Sequence, residues 1–145
     1  MRYNASYYES HYGRLLDNED YFGTRCLYWK KAITAVRDIP EESLLLDYGC
    51  GTGQVSLAFR NAHFYDVSAF SRDLITQRGK VVFCDAAEIP GGKYDFVLSS
   101  HALEHSPRPL EDLINFNRFA KSGGQLLLIL PVERDFRPAT EVDSN

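Results

Sequence analysis

Leu44-Leu45-Leu46-Asp47-Tyr48-Gly49-Cys50-Gly51-Thr52-Gly53 is an apolar run closed by a carboxylate and followed by three glycines at alternate positions. A continuous apolar run bounded by glycines suits a strand covered on both faces, as in parallel sheets. Alternate glycines allow a tight turn whose backbone lies directly against a ligand. A short helix is expected at once, over residues 54–61, with its free N–H groups pointing at whatever is bound.

Working outward, short apolar strands are expected over residues 63–67, 81–84, 94–99 and 126–130, the third of the chain being closed by Asp85. Pro109 suits the first turn of a helix running to about Lys121, with Leu110, Leu113, Ile114, Phe116 and Ala120 apolar and Gly123-Gly124 stopping it. Upstream, Phe22, Cys26, Trp29, Ile33 and Val36 step by four, three, four and three, one stripe of a helix that Pro40 ends. Strands alternating with helices imply right-handed crossovers. The fold class is therefore α/β, a Rossmann-like open parallel sheet of about five strands with helices on both faces.

The length of 145 residues suits a single domain. Three regions divide it: an N-terminal helical cap over residues 1–40, a ligand-binding core over 41–131 and a polar tail over 132–145. Charge is evenly spread, with six Lys and Arg against seven Asp and Glu in residues 1–43 and a net charge of −4 overall. With no basic stripe, binding to a nucleic-acid backbone is not expected. The longest apolar run, residues 126–130, is too short to cross a bilayer, and the first residues lack the apolar stretch of a signal peptide. Cys26, Cys50 and Cys84 form no C-x-x-C pair and read as reduced cysteines of a cytoplasmic protein.

Ligands of such sheets bind beyond the carboxyl ends of the strands. The glycine loop is G-x-G-x-G, whereas the dinucleotide fingerprint is G-x-G-x-x-G, whose third glycine would fall at Gln54. No Lys follows Gly53, as a nucleoside-triphosphate loop requires. The ligand indicated is a nucleoside without a phosphate chain. Asp47 agrees with this, because a carboxylate repels phosphate but accepts from an ammonium group.

Residues 44–53 resemble the first motif of class I S-adenosyl-L-methionine-dependent methyltransferases. Tyr65-Asp66-Val67-Ser68, Cys84-Asp85-Ala86-Ala87-Glu88-Ile89-Pro90 and residues 94–105, ending in Leu103-Glu104-His105, match that family in order. Lys121-Ser122-Gly123-Gly124 stands where the family has its Lys-x-Gly-Gly turn, so the resemblance spans residues 44–131. It implies S-adenosyl-L-methionine as cofactor and methyl transfer to a small-molecule, sugar or lipid-precursor acceptor. Gly49, Gly51, Thr52 and Gly53 would pass under the methionine part and ribose, with Asp47 near the amino group. Asp66, followed by Val67, would accept from the ribose hydroxyls. Asp85 would accept from the adenine amino group beside the backbone of Ala86, and Ser100 and His101 would lie by the methionine part. Only 13 positions separate Gly53 from Asp66, which is shorter than the family's usual crossover.

Each residue also has a plainer reading. Asp47 has the plainer reading of a helix cap, which the glycines after it weigh against, and Asp85 taken alone is a turn residue as readily as a ligand contact. His101 and His105 are the candidate bases if the acceptor is a hydroxyl. Beside His105 no second His or Cys stands at ligand spacing, so no metal is assigned. Tyr7, Tyr8 and Tyr12 either pack on the sheet edge or form a lid that shuts out water. A methyltransferase-like binding protein without a complete acceptor site is the alternative to an enzyme. The resemblance implies strand order 3-2-1-4-5 followed by an antiparallel pair, but the chain stops 14 residues after Pro131. The fifth strand is then an exposed apolar edge, expected either from a truncated chain or to be covered by self-association.

Overall fold

The computed structural model describes residues 3–131. Two helices, α1 (Ala5–Leu16) and α2 (Glu19–Val36), precede β1 (Leu45–Tyr48), β2 (Ala62–Tyr65), α3 (Ala69–Gln77), β3 (Val81–Phe83), β4 (Tyr94–Ser100), α4 (Pro109–Phe119) and β5 (Ala120–Ile129). Single 3-10 turns occupy Ala86–Glu88 and Leu103–His105. All pairings are parallel and the strand order is β3-β2-β1-β4-β5, with Leu45 of β1 between Ala62 of β2 and Phe96 of β4. The polar tail at 132–145 lies outside the described residues.

Two apolar layers flank the sheet. On one face Leu45, Phe64, Phe96 and Leu98 pack with Ile33, Ile39, Phe59 and Ile75. On the other Leu46, Tyr65, Tyr94 and Val97 pack with Ile89, Phe116 and Phe119. The switch from Leu45 to Leu46 between faces is the period of a strand, and both residues are fully buried. This is why the sequence shows an unbroken apolar run.

Several expected elements come out differently. Residues 54–61 form linked turns rather than a helix, closed by Ser56 and Leu57 N–H groups on the Gly53 carbonyl and Phe59 N–H on Ser56. Ser56 and Phe59 are both buried, on a segment whose Ser56 hydroxyl is drawn to Asp47. Side-chain burial in two directions overrides the helical period over so short a crossover. The helix from Pro109 ends at Phe119, and Gly123-Gly124 lie inside β5 at its irregular start, not at a helix end. Gly123 has φ 76°, and a Cβ on Gly124 would sit 2.8 Å from the Tyr94 carbonyl oxygen. On α2, Phe22, Cys26 and Ile33 are buried as the stripe predicts, but Val36 is 86% exposed at the frayed end.

Helix α3 is an addition to the sequence reading, and α1 lies within the expected N-terminal helical cap. Each begins at a side-chain cap: Asn4 Oδ1 accepts from Tyr7 N–H at 3.1 Å, and Ser68 Oγ from Ser71 N–H at 3.4 Å. No helix among the described residues is long and apolar enough to cross a membrane.

Candidate active site

The carboxyl ends of β1, β2 and β4 open into a cavity of about 780 Å³, with α1 along one side and the segment from Ser100 to α4 along another. That volume lies within the range of roughly 300–1,000 Å³ usual for small-molecule sites.

The turn after β1 is built by its glycines. Gly49, Gly51 and Gly53 have φ of 80°, 53° and 78°, left-handed values that other residues rarely adopt. The N–H groups of Gly49 and Cys50 both donate to the Tyr65 carbonyl, at 2.8 and 3.0 Å, which pins the turn to β2. A Cβ on Gly49 would overlap Ala102, and one on Gly53 would stand 2.5 Å from Ile75 Cδ1. At Gly51 the nearest atoms to such a Cβ belong to the Tyr8 ring, at 3.9 Å, so the middle glycine faces open cavity.

Asp66 closes β2 and holds this turn. Its Oδ2 accepts from Gly51 N–H and its Oδ1 from Ser68 N–H, each at 2.8 Å. Burial pushes its pKa up against those two N–H groups and Arg72, which favour the charged form. Asp47 is buried deeper, at 1% exposure, where Ser56 Oγ donates to its Oδ2 while Oδ1 has no partner. Burial raises its pKa to about 7 against the Ser56 bond.

After β4 the chain turns sharply at His101, whose φ of 49° is left-handed and whose N–H donates to the Ile129 carbonyl at 2.8 Å. A non-glycine residue held this way costs about 1–2 kcal/mol. Its Nδ1 lies 3.5 Å from Glu104 Oε1, and both side chains border the cavity. His105 borders it too, with its ring centroid 6.1 Å from that of Tyr3.

Of the residues singled out from the sequence, Gly49, Gly51, Thr52, Asp66, Val67, Ser100 and His101 line the cavity. Asp47, Gly53, Asp85 and Ala86 do not. Asp85 is exposed and caps the 3-10 turn, its Oδ1 accepting from Ala87 N–H at 2.8 Å. The N-terminal tyrosines divide between packing and the cavity lining. Tyr8 is buried, stacked on Phe70, and its Oη accepts from Ser71 Oγ at 2.8 Å. Tyr3, Tyr7 and Tyr12 line the cavity, and Ser68 Oγ donates to the Tyr3 carbonyl at 2.7 Å.

An aromatic wall was missed in the sequence. Tyr48 Oη donates to Asp112 Oδ1 at 2.8 Å, and the Tyr48 ring lies 4.4 Å from Tyr65 and 4.8 Å, edge-on, from Phe116. Burial, then Asp112, pushes the Tyr48 hydroxyl far above its ordinary pKa, which keeps it a donor. The available signal was alternation: Tyr48 follows Asp47 on a strand and therefore faces away from it, toward α4. Among the described residues no cluster of three metal-ligating side chains occurs.

A sequence model of the methyltransferase domain matches residues 21–143. No curated protein matches the chain. Among solved structures, one from Thermotoga maritima, described as an S-adenosylmethionine-dependent methyltransferase and possible histamine N-methyltransferase, superposes with TM-score 0.60 at 19% identity over 79% of this chain and 57% of its own. A protein of Methanococcus maripaludis, assigned as an S-adenosyl-L-methionine-dependent methyltransferase, gives TM-score 0.62 at 18% identity, covering 74% of this chain and 56% of its own. The trans-methyltransferase CalH, solved as a complex with S-adenosylhomocysteine, gives TM-score 0.52 at 20% identity over 61% of this chain and 32% of its own. The chain thus spans little more than half the length of the first two. At such identities the likeness is one of fold.

Proposed function

The chain belongs to the methyltransferase domain family, and on that premise we propose that it binds S-adenosyl-L-methionine in the cavity and transfers its methyl group to a small molecule. The observation that carries this reading is the Asp66–Gly51 junction, a carboxylate fastened under a left-handed glycine turn at the rim of a large cavity. Two further features suit such a cofactor. Gly51 leaves room at the turn where a side chain would intrude, and the Asp66 carboxylate, which borders the cavity, disfavours a phosphate chain.

In this reading Asp66 accepts from the ribose hydroxyls. The backbone of Gly49, Gly51 and Thr52 meets the cofactor directly, with Val67 beside it and Ser100 and His101 near its methionine part. Asp47 and Gly53 act from behind, holding the turn. Asp85 and Ala86 would meet the adenine edge where it leaves the cavity. The cofactor supplies a methyl group already activated on a sulfonium, so the protein's task is to orient donor and acceptor and to exclude water. The tyrosines of α1 exclude water. His101, its Nδ1 toward Glu104, takes a proton from an acceptor that must lose one.

Calorimetry with S-adenosylhomocysteine and with NAD tests the binding. The homocysteine compound should bind and stabilise the protein by about 2.7 kcal/mol at ~100 times Kd. A response to NAD alone would overturn the reading. The same proposal includes self-association through β5, which among the described residues pairs only with β4 and exposes Leu126 and Leu128. Sedimentation that shows a monomer at every concentration would remove that part.

A further inference from the structure

We propose that the acceptor is a small-molecule amine, captured as its ammonium ion against the aromatic and acidic wall of the cavity; this rests on the methyltransferase reading of the same site. His101 takes one N–H proton, and the freed nitrogen lone pair attacks the methyl carbon as its bond to the sulfonium sulfur breaks, leaving a neutral thioether. The glycine turn and Asp66 occupy one part of the cavity rim. The remaining wall comes from α1, α2, the Leu103–His105 turn and α4, elements that take no part in that turn.

Two properties of this wall point the same way. The first is its aromatic content: Tyr3 just before α1, Tyr7 and Tyr12 from α1, Trp29 from α2 and Tyr48 from β1 all border the space. Aromatic faces attract cations and present apolar surface to the frame that carries them. The second is the sign of its charge. Glu104, Glu111 and Asp112 are carboxylates on this wall, and among the described residues Arg108 is the one Lys or Arg bordering the cavity. Arg108 is mostly exposed and turned to Glu111, with Nη1 3.3 Å from Oε2, so it does not offset the other two carboxylates. The Glu104 side chain is 23% exposed, and Asp112 is partly buried with one oxygen held by Tyr48. A carboxylate substrate would meet this wall with like charge, and an uncharged alcohol would gain from its aromatic surface but not from its charge.

Trp29 also provides the readout. It is the only tryptophan of the chain and borders the cavity. Its indole N–H is buried with no hydrogen-bond partner among the described residues, so its emission should respond to a ligand nearby. We would titrate the full chain with 2-phenylethylamine, 2-phenylethanol and phenylacetate, three probes on one frame, with and without S-adenosylhomocysteine. The amine should saturate at concentrations at least tenfold below the alcohol, and the acid should bind most weakly. Raising the salt should weaken the amine and leave the alcohol unchanged. Glu104→Gln should weaken the amine about tenfold with little effect on the alcohol. Asp112→Asn should do the same, and its melting curve shows whether the wall survives loss of the Tyr48 bond. Equal binding of amine and alcohol, tighter binding of the acid, no response to any probe, or amine binding unchanged in Glu104→Gln overturns the inference. Calorimetry with S-adenosylhomocysteine on the same sample reports the cofactor reading separately, so either can fail alone.

Discussion

The backbone N–H of Gly51 donates to Asp66 Oδ2 at 2.8 Å, which ties the turn after β1 to the end of β2. Ser68 N–H fills the other carboxylate oxygen, so one buried side chain fixes two backbone segments. An amide at position 66 cannot accept from both N–H groups. Asp66→Asn should therefore cost about 1–3 kcal/mol by leaving a buried donor unpaired. It should also weaken S-adenosylhomocysteine at least tenfold. Urea unfolding checks the first outcome and calorimetry the second; a variant equal to wild type in both would remove Asp66 from its assigned role.

Gly51 and Gly53 of the turn should separate by position. Gly51→Ala carries only the strain of a left-handed φ, about 1–2 kcal/mol, because Tyr8 stands at ordinary contact distance. Gly53→Ala adds an overlap with Ile75 and Leu57 in the core, and should cost ~3 kcal/mol or more. The order should invert for ligand binding among folded molecules, where Gly51→Val has the larger effect because its side chain enters the cavity. Denaturation midpoints of the two alanine variants, and calorimetry of Gly51→Val against Gly53→Ala, decide this.

What the sequence disclosed and what it hid follow one physical division. The run from Leu44 to Leu46 is apolar because β1 is covered on both faces, and the left-handed turn after it demands glycine, so both could be read without partners. The strand order was legible through the family resemblance and is the order observed. Residues 54–61 could not be read, because the Ser56–Asp47 bond and the burial of Phe59 are tertiary. The aromatic wall was hidden for the same reason: Tyr48 and Asp112 are 64 positions apart and only the packing of α4 brings them together. Asp85 illustrates the reverse. Its position in a family motif suggested a ligand contact, while locally it caps a turn.

Helix α1 is held over the cavity by few bonds, so its attachment can be weakened selectively. Tyr8→Phe removes the acceptor of the buried Ser71 hydroxyl while keeping the ring on Phe70. Global stability should fall by roughly 1–2 kcal/mol. Amide exchange should quicken in α1 more than in β1 or β4, and S-adenosylhomocysteine should dissociate faster. Uniform quickening across the sheet would mean that Tyr8 is a core residue with no part in closing the cavity.

Asp47 makes the stability of the protein depend on pH in a direction opposite to that of a paired carboxylate. Its pKa is raised to about 7 in the folded chain from an ordinary 3.8, chiefly by burial. The folded state therefore holds a proton that the unfolded state has released, and stability falls as pH rises through that interval. The contribution is complete below pH ~4, is lost between about pH 4 and 7, and levels off above, with a span of at most about 4 kcal/mol. Asp66, whose pKa is also raised by burial, adds to the same slope. Asp47→Asn removes the titrating group, and its buried amide changes stability equally at every pH. The comparison that matters is thus the difference between pH 4.5 and pH 7.5 within each protein. Urea unfolding should show wild type losing stability over that interval and Asp47→Asn losing distinctly less. Equal pH profiles for the two would mean that Asp47 is already ionised in the folded state, with its second oxygen solvated.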